Sequence, residues 1–266
     1  MEAPSLSDRE VQAAHSPNPS LSYSRINRYL TCPEQYRLHY LERLRPRFDN
    51  ASLVFGTVIH LALADFFRNG EDPVEHFRRD WQKLKDIRLA YKHRESWEGF
   101  SEKGEKLLTK FVAEEAHKIQ DALGIERKFE LRMTVLGEPF IGSIDLVARM
   151  DNRKTVVDFK TAGSDYEEHE APLSDQLTAY ALAEPDAEQV ALCVFIKTKE
   201  PRIEWHFAKR NADDMTDYLT KVQIVAEDIA SGKFYKRIGK HCSYCDYLPV
   251  CLGDEKKAQE TLVRIA

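Results

Sequence analysis

The sequence predicts an α/β fold: a helical front, then a mixed central sheet flanked by helices, in one unit closed by its own ends. Three observations predict it. Apolar residues recur at helical spacing through about the first 120 positions. From about residue 126 the period changes to two, and strand-like runs alternate with helix-like ones to about residue 230. Cysteines stand near both ends, Cys32 in front and Cys242, Cys245 and Cys251 behind, where a shared metal centre would join them.

The elements follow in order. Ser22 or Ser24 caps a first helix to about Leu30, and Pro33 fits the first turn of a second, Glu34 to about Leu44, which Pro46 ends. Val58, Ile59, Ala62, Leu63, Phe66 and Phe67 form the apolar stripe of a third helix starting near Gly56, and Asn69-Gly70 stops it. Residues 73–120 read as entirely helical, with Trp81, Leu84, Phe100, Leu107, Leu108 and Phe111 turned inward. Strands are expected at 126–135 and 140–150, and Asp151-Asn152-Arg153-Lys154 turns into a third at 155–161. Pro172 opens a helix to about Ala183, and strands near 189–197 and 202–208 precede a long helix over 212–230. This reads as a disordered leader over 1–20, a single domain over 21–253 with a helical insertion at about 70–122, and a charged tail of frayed helix over 254–266.

Composition excludes few classes. A chain of 266 residues with 42% apolar and 31% charged residues is ordinary for a globular protein. No apolar run approaches the ~20 residues of a membrane-spanning helix. The polar stretch from Met1 to Pro19 lacks the apolar segment of a secretory signal and the arginines of a transit peptide. A cytoplasmic or nucleoid-associated protein is therefore expected, where closely spaced cysteines favour metal over disulfide. A net charge of −5 argues against general polyanion binding, but the distribution is uneven. Six arginines (25, 28, 37, 43, 45 and 47) face only Glu34 and Glu42 between Arg25 and Arg47, and Lys233, Lys236, Arg237 and Lys240 form an acid-free run. Tyr23, Tyr29, Tyr36, Tyr40 and Tyr235 are interleaved with them. Cations for phosphates and aromatic faces for bases suit single-stranded DNA, with Arg25, Arg28, Arg37 and Lys236 as candidate backbone contacts. The same residues are equally the solvated faces of two helices.

Alternation places Ser143, Asp145 and Val147 on one face of the second strand, and Val156, Asp158 and Lys160 on one face of the third. A hairpin between those strands brings Asp145 and Asp158 within reach of one cation. Both carboxylates lie in apolar runs, and burying two of them is costly unless a cation compensates. Hard oxygens suit Mg²⁺ or Mn²⁺, which also binds phosphate, and Lys160 would project beside it. Taken alone, Asp158-Phe159-Lys160 is more often a half-exposed hairpin ion pair, and His60 more often a core or capping histidine.

The motifs together resemble the RecB-like branch of the PD-(D/E)XK nuclease superfamily. In order they are Ser22-Tyr-Ser-Arg-Ile with Cys32-Pro33, Gly56-Thr-Val-Ile-His60, Gly142-Ser-Ile-Asp145, Val157-Asp158-Phe-Lys160-Thr161 and Gln176-Leu-Thr-Ala-Tyr180. The resemblance covers about Leu21 to Gly253 and implies a restriction-endonuclease-like core. It implies metal ligation by His60, Asp145, Asp158 and the Phe159 carbonyl, catalysis by Lys160, and support from Gln176 and Tyr180. Glu126 resembles a recurrent family glutamate of uncertain role. It also implies a metal-dependent DNase, an exonuclease more than an endonuclease, working in DNA repair, recombination or CRISPR adaptation, with a helicase or other DNA-processing protein as partner. The alternative is a DNA-binding or assembly subunit with little turnover, whose mark would be loss of Asp158 or Lys160; both are present.

Cys242, Cys245 and Cys251 form C-x₂-C-x₅-C, and short loops let them converge with Cys32 on one centre. Cys193, in the apolar run Ala191-Leu-Cys-Val-Phe, reads as a core thiol. Four-cysteine zinc is chemically open, although structural zinc sites more often use two local pairs. One remote Cys-Pro plus C-x₂-C-x₅-C is similar to the [4Fe–4S] staple of the subgroup that includes AddB, eukaryotic exonuclease V and the CRISPR-associated spacer-acquisition nucleases. The resemblance implies an iron–sulfur-stapled C-terminus.

Overall fold

In the computed structural model the described residues are 20–132 and 138–265. The leader expected over 1–20 lies outside them except for Ser20, as does the end of the strand expected at 126–135. The chain divides into two compact units. One comprises Asn50–Phe129 and Ser143–Thr216; the other comprises the residues up to Asp49, Glu130–Gly142 and Asp217–Ala266.

The first unit is built on a five-stranded sheet in the order β2-β3-β4-β5-β6: β2 (Asp121–Leu131), β3 (Phe140–Met150), β4 (Arg153–Ala162), β5 (Gln189–Ile196) and β6 (Arg202–Ala208). Strands β3 and β4 pair antiparallel, β4 and β5 parallel, and β5 and β6 antiparallel, so the sheet is mixed. Asp151 and Asn152 make the tight β3–β4 turn at φ 48° and 61°, a left-handed conformation that Asp and Asn tolerate better than other side chains. The parallel pair needs a crossover, which contains helix α6 (Asp175–Ala183). Ser174 caps α6 by accepting from Leu177 N–H, so the helix starts three residues after the Pro172 expected to open it.

One sheet face, through Leu146, Val157, Phe159, Cys193 and Phe195, packs on α3 (Ala51–Asn69), α4 (Pro73–Gln82) and α5 (Trp97–Lys110). The other, through Val156, Val190, Leu192 and Val194, packs on Leu177 and Tyr180 of α6. Burial on both faces explains the almost unbroken apolar run of β5, every residue of which is buried. Helix α3 starts at Ala51 rather than near Gly56, because the Asn50 side chain accepts from Ser52 N–H; Gly70, at φ 70°, ends it. By length and composition α3 alone among the described helices would cross a bilayer, but Val54, Phe55, Val58, Ile59, Ala62 and Leu63 are spent on the core. Phe55, Phe77, Trp81 and Phe100 form a ring cluster with centroids 5.0–6.0 Å apart. Gly104 admits it: a Cβ there would stand 2.1 Å from Phe77 Cζ.

The span 73–120 is not helical throughout. It breaks after Gln82 and restarts at Trp97, where Ser96 caps α5 by accepting from Gly99 N–H. Arg94, at φ 65°, lies in the intervening turn. Strict alternation also fails in β3. Ile144 and Val147 share one apolar cluster while Leu146 and Ala148 belong to the other, and the β3–β4 ladder runs only from Met150–Arg153 to Leu146–Val157. An irregularity of this bulge type re-aims the side chains next to it, and Asp145 is one of them.

In the second unit Ser22 caps α1 (Tyr23–Thr31), and extended Cys32 separates it from α2 (Pro33–Tyr36), which begins with Pro33. A wider π-turn, Arg37–Leu41, prolongs α2. The helix expected to reach Leu44 stops there, because Arg43 turns left-handed at φ 53° and Leu44–Pro46 form strand β1. Helix α7 (Ala212–Ala230) enters this unit at Asp217, and α8 (Leu248–Leu252) and α9 (Glu255–Thr261) follow the cysteine segment. The tail is not frayed: Leu262–Arg264 form β7, antiparallel to β1. Pairing over more than 200 positions leaves no local signal in either tripeptide.

Candidate metal centre and cysteine cavity

Strand β4 sets the chemistry. Its triplet runs through the middle of the sheet, with Asp158, Phe159 and Lys160 opposite Leu192, Cys193 and Val194 of β5. Asp158 is therefore buried, its side chain only 1% exposed. Burial pushes its carboxyl above the usual carboxylate range, against the pull of Lys160 and with reinforcement from Asp145. Lys160 Nζ stands 2.7 Å from Asp158 Oδ2, yet neither oxygen has a hydrogen-bond partner among the described residues. The approach is a charge contact off the hydrogen-bonding direction, and it leaves acceptor capacity open.

Asp145 reaches the same place from β3, just beyond the Leu146–Val157 end of the β3–β4 ladder. Asp145 Oδ2 accepts from Phe159 N–H at 2.8 Å and lies 3.3 Å from His60 Nδ1. Burial works to raise the Asp145 carboxyl, but His60 and the Phe159 N–H outweigh it and hold it below its ordinary value. Burial likewise works to depress His60, and Asp145 overrides it, so the imidazole binds its proton more tightly than a free histidine. Helix α3 comes close to β4 here because Gly56, one turn before His60, has no side chain: a Cβ would lie 3.0 Å from Thr161 Oγ1.

One ligand atom each from His60, Glu126 and Asp145 lies within 4.8 Å of the others. Glu126 reaches the group from β2 at φ 48°, and Ser143 Oγ donates to its Oε2 at 3.4 Å. This glutamate has the weakest signal in the sequence, since its placement depends on a backbone irregularity. Asp158 is outside that tightest group and beside it, an electrostatic neighbour of both Asp145 and His60. On the far side, Lys160 Nζ donates to Gln176 Oε1 at 2.7 Å and Gln176 Nε2 donates to the Tyr180 hydroxyl at 2.7 Å. Burial raises the Tyr180 phenol, which stays protonated. One imidazole and carboxylate oxygens, with the acceptors of Asp158 unused, fit a hard divalent cation. A second group, Asp65, Glu71 and His76, has equal proximity, but Arg68 and Arg79 already pair with its acids.

The four motif cysteines line one cavity of about 170 Å³ in the second unit. All are free thiols, and Cys32 is the buried one. Cys32 Sγ accepts from Arg237 N–H at 3.4 Å, and Cys245 Sγ from Gln35 Nε2 at 3.5 Å. Among the described residues these sulfurs do not form a group tight enough to share one ion. They surround a space instead. Cys193 is buried in β5 in the other unit. Of the DNA-contact candidates, Arg25 is 5% exposed, its guanidinium 4.5 Å from the Tyr40 ring centroid. Arg37 is held by Glu34 and Glu42, and Lys236 donates to the Cys251 carbonyl. Arg28 lies 5.7 Å from the same Tyr40 ring. These four cations take part in internal contacts, which charge counting along a sequence does not see.

A mixed sheet that gathers a histidine, carboxylates and a lysine beside its central strands defines an α/β protein with a candidate cation centre. Residues 20–252 match the PD-(D/E)XK nuclease superfamily, and the chain belongs to it. No curated protein sequence matches. Among solved structures, one described as a "Putative exonuclease" from Eubacterium rectale is similar, with TM-score 0.56 and 12% identity over 93% of each chain. That likeness is one of fold. SSO0001 has a TM-score of 0.39 at 14% identity, over 86% of this chain and 93% of its own.

Proposed function

We propose that this protein is a Mg²⁺- or Mn²⁺-dependent deoxyribonuclease of the RecB-like branch that hydrolyses phosphodiester bonds in single-stranded DNA, chiefly from an end. Family membership supports the reaction class, and the Eubacterium rectale protein of similar fold, described as an exonuclease, agrees with it. The observation that carries the reading is the buried Asp158 carboxylate, without hydrogen-bond partners, between Lys160 and the His60–Glu126–Asp145 group. His60, Asp145 and Asp158 would hold the cation, with the Phe159 carbonyl and Glu126 as further donors. A divalent cation there supplies Lewis acidity to a phosphodiester. Lys160, fixed by Gln176, keeps an ammonium beside the centre where negative charge grows on the phosphoryl oxygens. Tyr180 fixes Gln176 in turn.

The cysteine cavity is assigned in this reading to a [4Fe–4S] cluster rather than a zinc ion. A cubane spreads its thiolates around a volume, whereas one ion draws them to a point. Its role in this reading is structural, joining the segment that follows α1 to the one that follows α7. DNA repair, recombination or CRISPR adaptation, beside a helicase or other processing protein, is the setting that suits such an enzyme in the cytoplasm.

The test is Mn²⁺-dependent degradation of end-labelled single-stranded DNA by anaerobically purified protein, beside Lys160→Ala. Cleavage by the wild type that disappears in a folded variant is expected. DNA binding without cleavage in any divalent metal would replace the enzyme with an assembly subunit.

A further inference from the structure

Lys197, directly after β5, has a role that the candidate centre does not use. Its backbone N–H donates to the Ala162 carbonyl at 2.8 Å, which ties it to the end of the strand carrying Asp158 and Lys160. Its ammonium lies 5.3 Å from the Phe55 ring centroid and 5.2 Å from that of Phe100, and donates to Ser52 Oγ at 3.1 Å. Ser52 Oγ donates in turn to Glu95 Oε1 at 3.0 Å. Among the described residues no carboxylate lies within ion-pair reach of Nζ. Burial depresses its pKa to about 8, with Lys92 and Lys103 adding to the effect and Glu95 opposing it. Three cations thus meet one acid, whose own oxygens are engaged by Ser52 Oγ and Lys92 N–H. A half-buried ammonium without an anion is stabilised by one that arrives.

Its location matches a strand running through the centre. Ser52, Gly56 and His60 recur every four residues and so line one face of α3. All three are partly exposed, as are Lys160, Thr161 and Lys197, while the intervening Val54, Phe55, Val58 and Ile59 are buried. Gly56 leaves the middle of that stripe without a side chain. The eight residue steps from Ser52 to His60 span ~12 Å. A stacked strand covers this in roughly three nucleotides, at ~3.4 Å each, and a stretched one in fewer.

We propose that Lys197, positioned by Ser52, forms a subsite for a backbone phosphate of the nucleic-acid strand, up to about three nucleotides from the phosphate at the His60 centre. The assignment rests on the nuclease reading for its place along the strand, and on the chemistry around Lys197 for its taste for phosphate. It is tested with Lys197→Ala, Lys197→Arg and Ser52→Ala on two substrates: a single-stranded 12-mer and thymidine 5′-(p-nitrophenyl phosphate), which has no phosphate to reach the subsite. Lys197→Ala should raise KM for the 12-mer on the order of tenfold at 0.1 M salt, the worth of one phosphate contact. Its kcat, and turnover of the small diester, should stay within about twofold of wild type, with Lys197→Arg restoring most of the loss. Equal losses on both substrates would mark a structural residue and overturn the proposal.

Fluorescence anisotropy of the 12-mer without divalent metal separates this from failure of the nuclease reading. If neither substrate is cleaved, weaker binding by Lys197→Ala, with a salt slope smaller by about one, keeps the subsite while the enzyme reading falls. Unchanged affinity, or no affinity in the wild type, overturns it.

Discussion

Asp158→Asn should stabilise the metal-free protein while abolishing its response to metal. A buried polar group without hydrogen bonds costs about 1–3 kcal/mol, and more when charged. The compensating contact with Lys160 involves a side chain 31% exposed, and half-exposed pairs contribute about 0–1 kcal/mol. Removing the charge should therefore gain about 1–2 kcal/mol, a rise in Tm of roughly 2–8 °C for a chain of this size. The sign depends on pH. Burial raises the Asp158 carboxyl, so its favourable neutral form is lost as pH rises through the folded-state value, and wild-type stability falls there. Asparagine does not titrate. The gap should be open at neutral pH and close in acid. Differential scanning calorimetry in EDTA from pH 4 to 8, repeated with Mn²⁺, reads both effects. Ion at a hundredfold excess over Kd should add about 2.7 kcal/mol to the wild type and nothing to the variant. A variant less stable than wild type in EDTA at neutral pH, or a gap independent of pH, would refute the burial cost assigned to Asp158.

Other outcomes follow from the same contacts. Lys160→Ala should lower kcat by about 10²–10³, as loss of one charge-stabilising donor does, with stability lower by no more than about 1 kcal/mol; near-normal turnover would remove Lys160 from the chemistry. Because Asp145 raises the His60 pKa, protons compete with Mn²⁺ for the imidazole, and affinity should fall as pH falls. Calorimetric titration in buffers of different ionisation enthalpy should show proton release that His60→Gln reduces, leaving the share of Asp158. With the proposed cluster in place, anaerobically purified protein should carry iron and a brown absorbance that Cys32→Ser removes, with lower thermal stability of the unit that holds the cavity; full iron content in the variant would exclude Cys32 as a ligand. Gly104→Ala should destabilise by about 1–3 kcal/mol in urea, since the added methyl meets a fully buried Phe77 ring.

Local chemistry made much of the fold legible. Ser22 as a cap, Asn69-Gly70 as a stop and Asp151-Asn152 as a turn each act through their own backbone, so the elements they bound were readable. Readings failed where a distant partner decides the conformation. Leu44–Pro46 is a strand because Leu262–Arg264 pairs with it. The contacts of Arg25 with Tyr40 and Tyr36 are likewise set by the fold and have no local signal. The break between Gln82 and Trp97 hides in a stretch whose composition is helical throughout.

The sequence by itself determined the α/β class, the order of the elements around the centre, and the residue types available to a cation and to a shared cysteine site. Those follow from periodicity and from the spacing of chemically distinctive side chains, both of which are properties of short segments. Only the tertiary structure decided that Glu126 stands beside His60 and Asp145, that Asp158 is left without hydrogen bonds, that four thiols surround one cavity, and that Lys197 meets Ser52 on the His60 face of α3. Each depends on where separate strands and helices come to rest against one another. That is set by the packing of both sheet faces, to which every buried side chain contributes and which no single segment encodes.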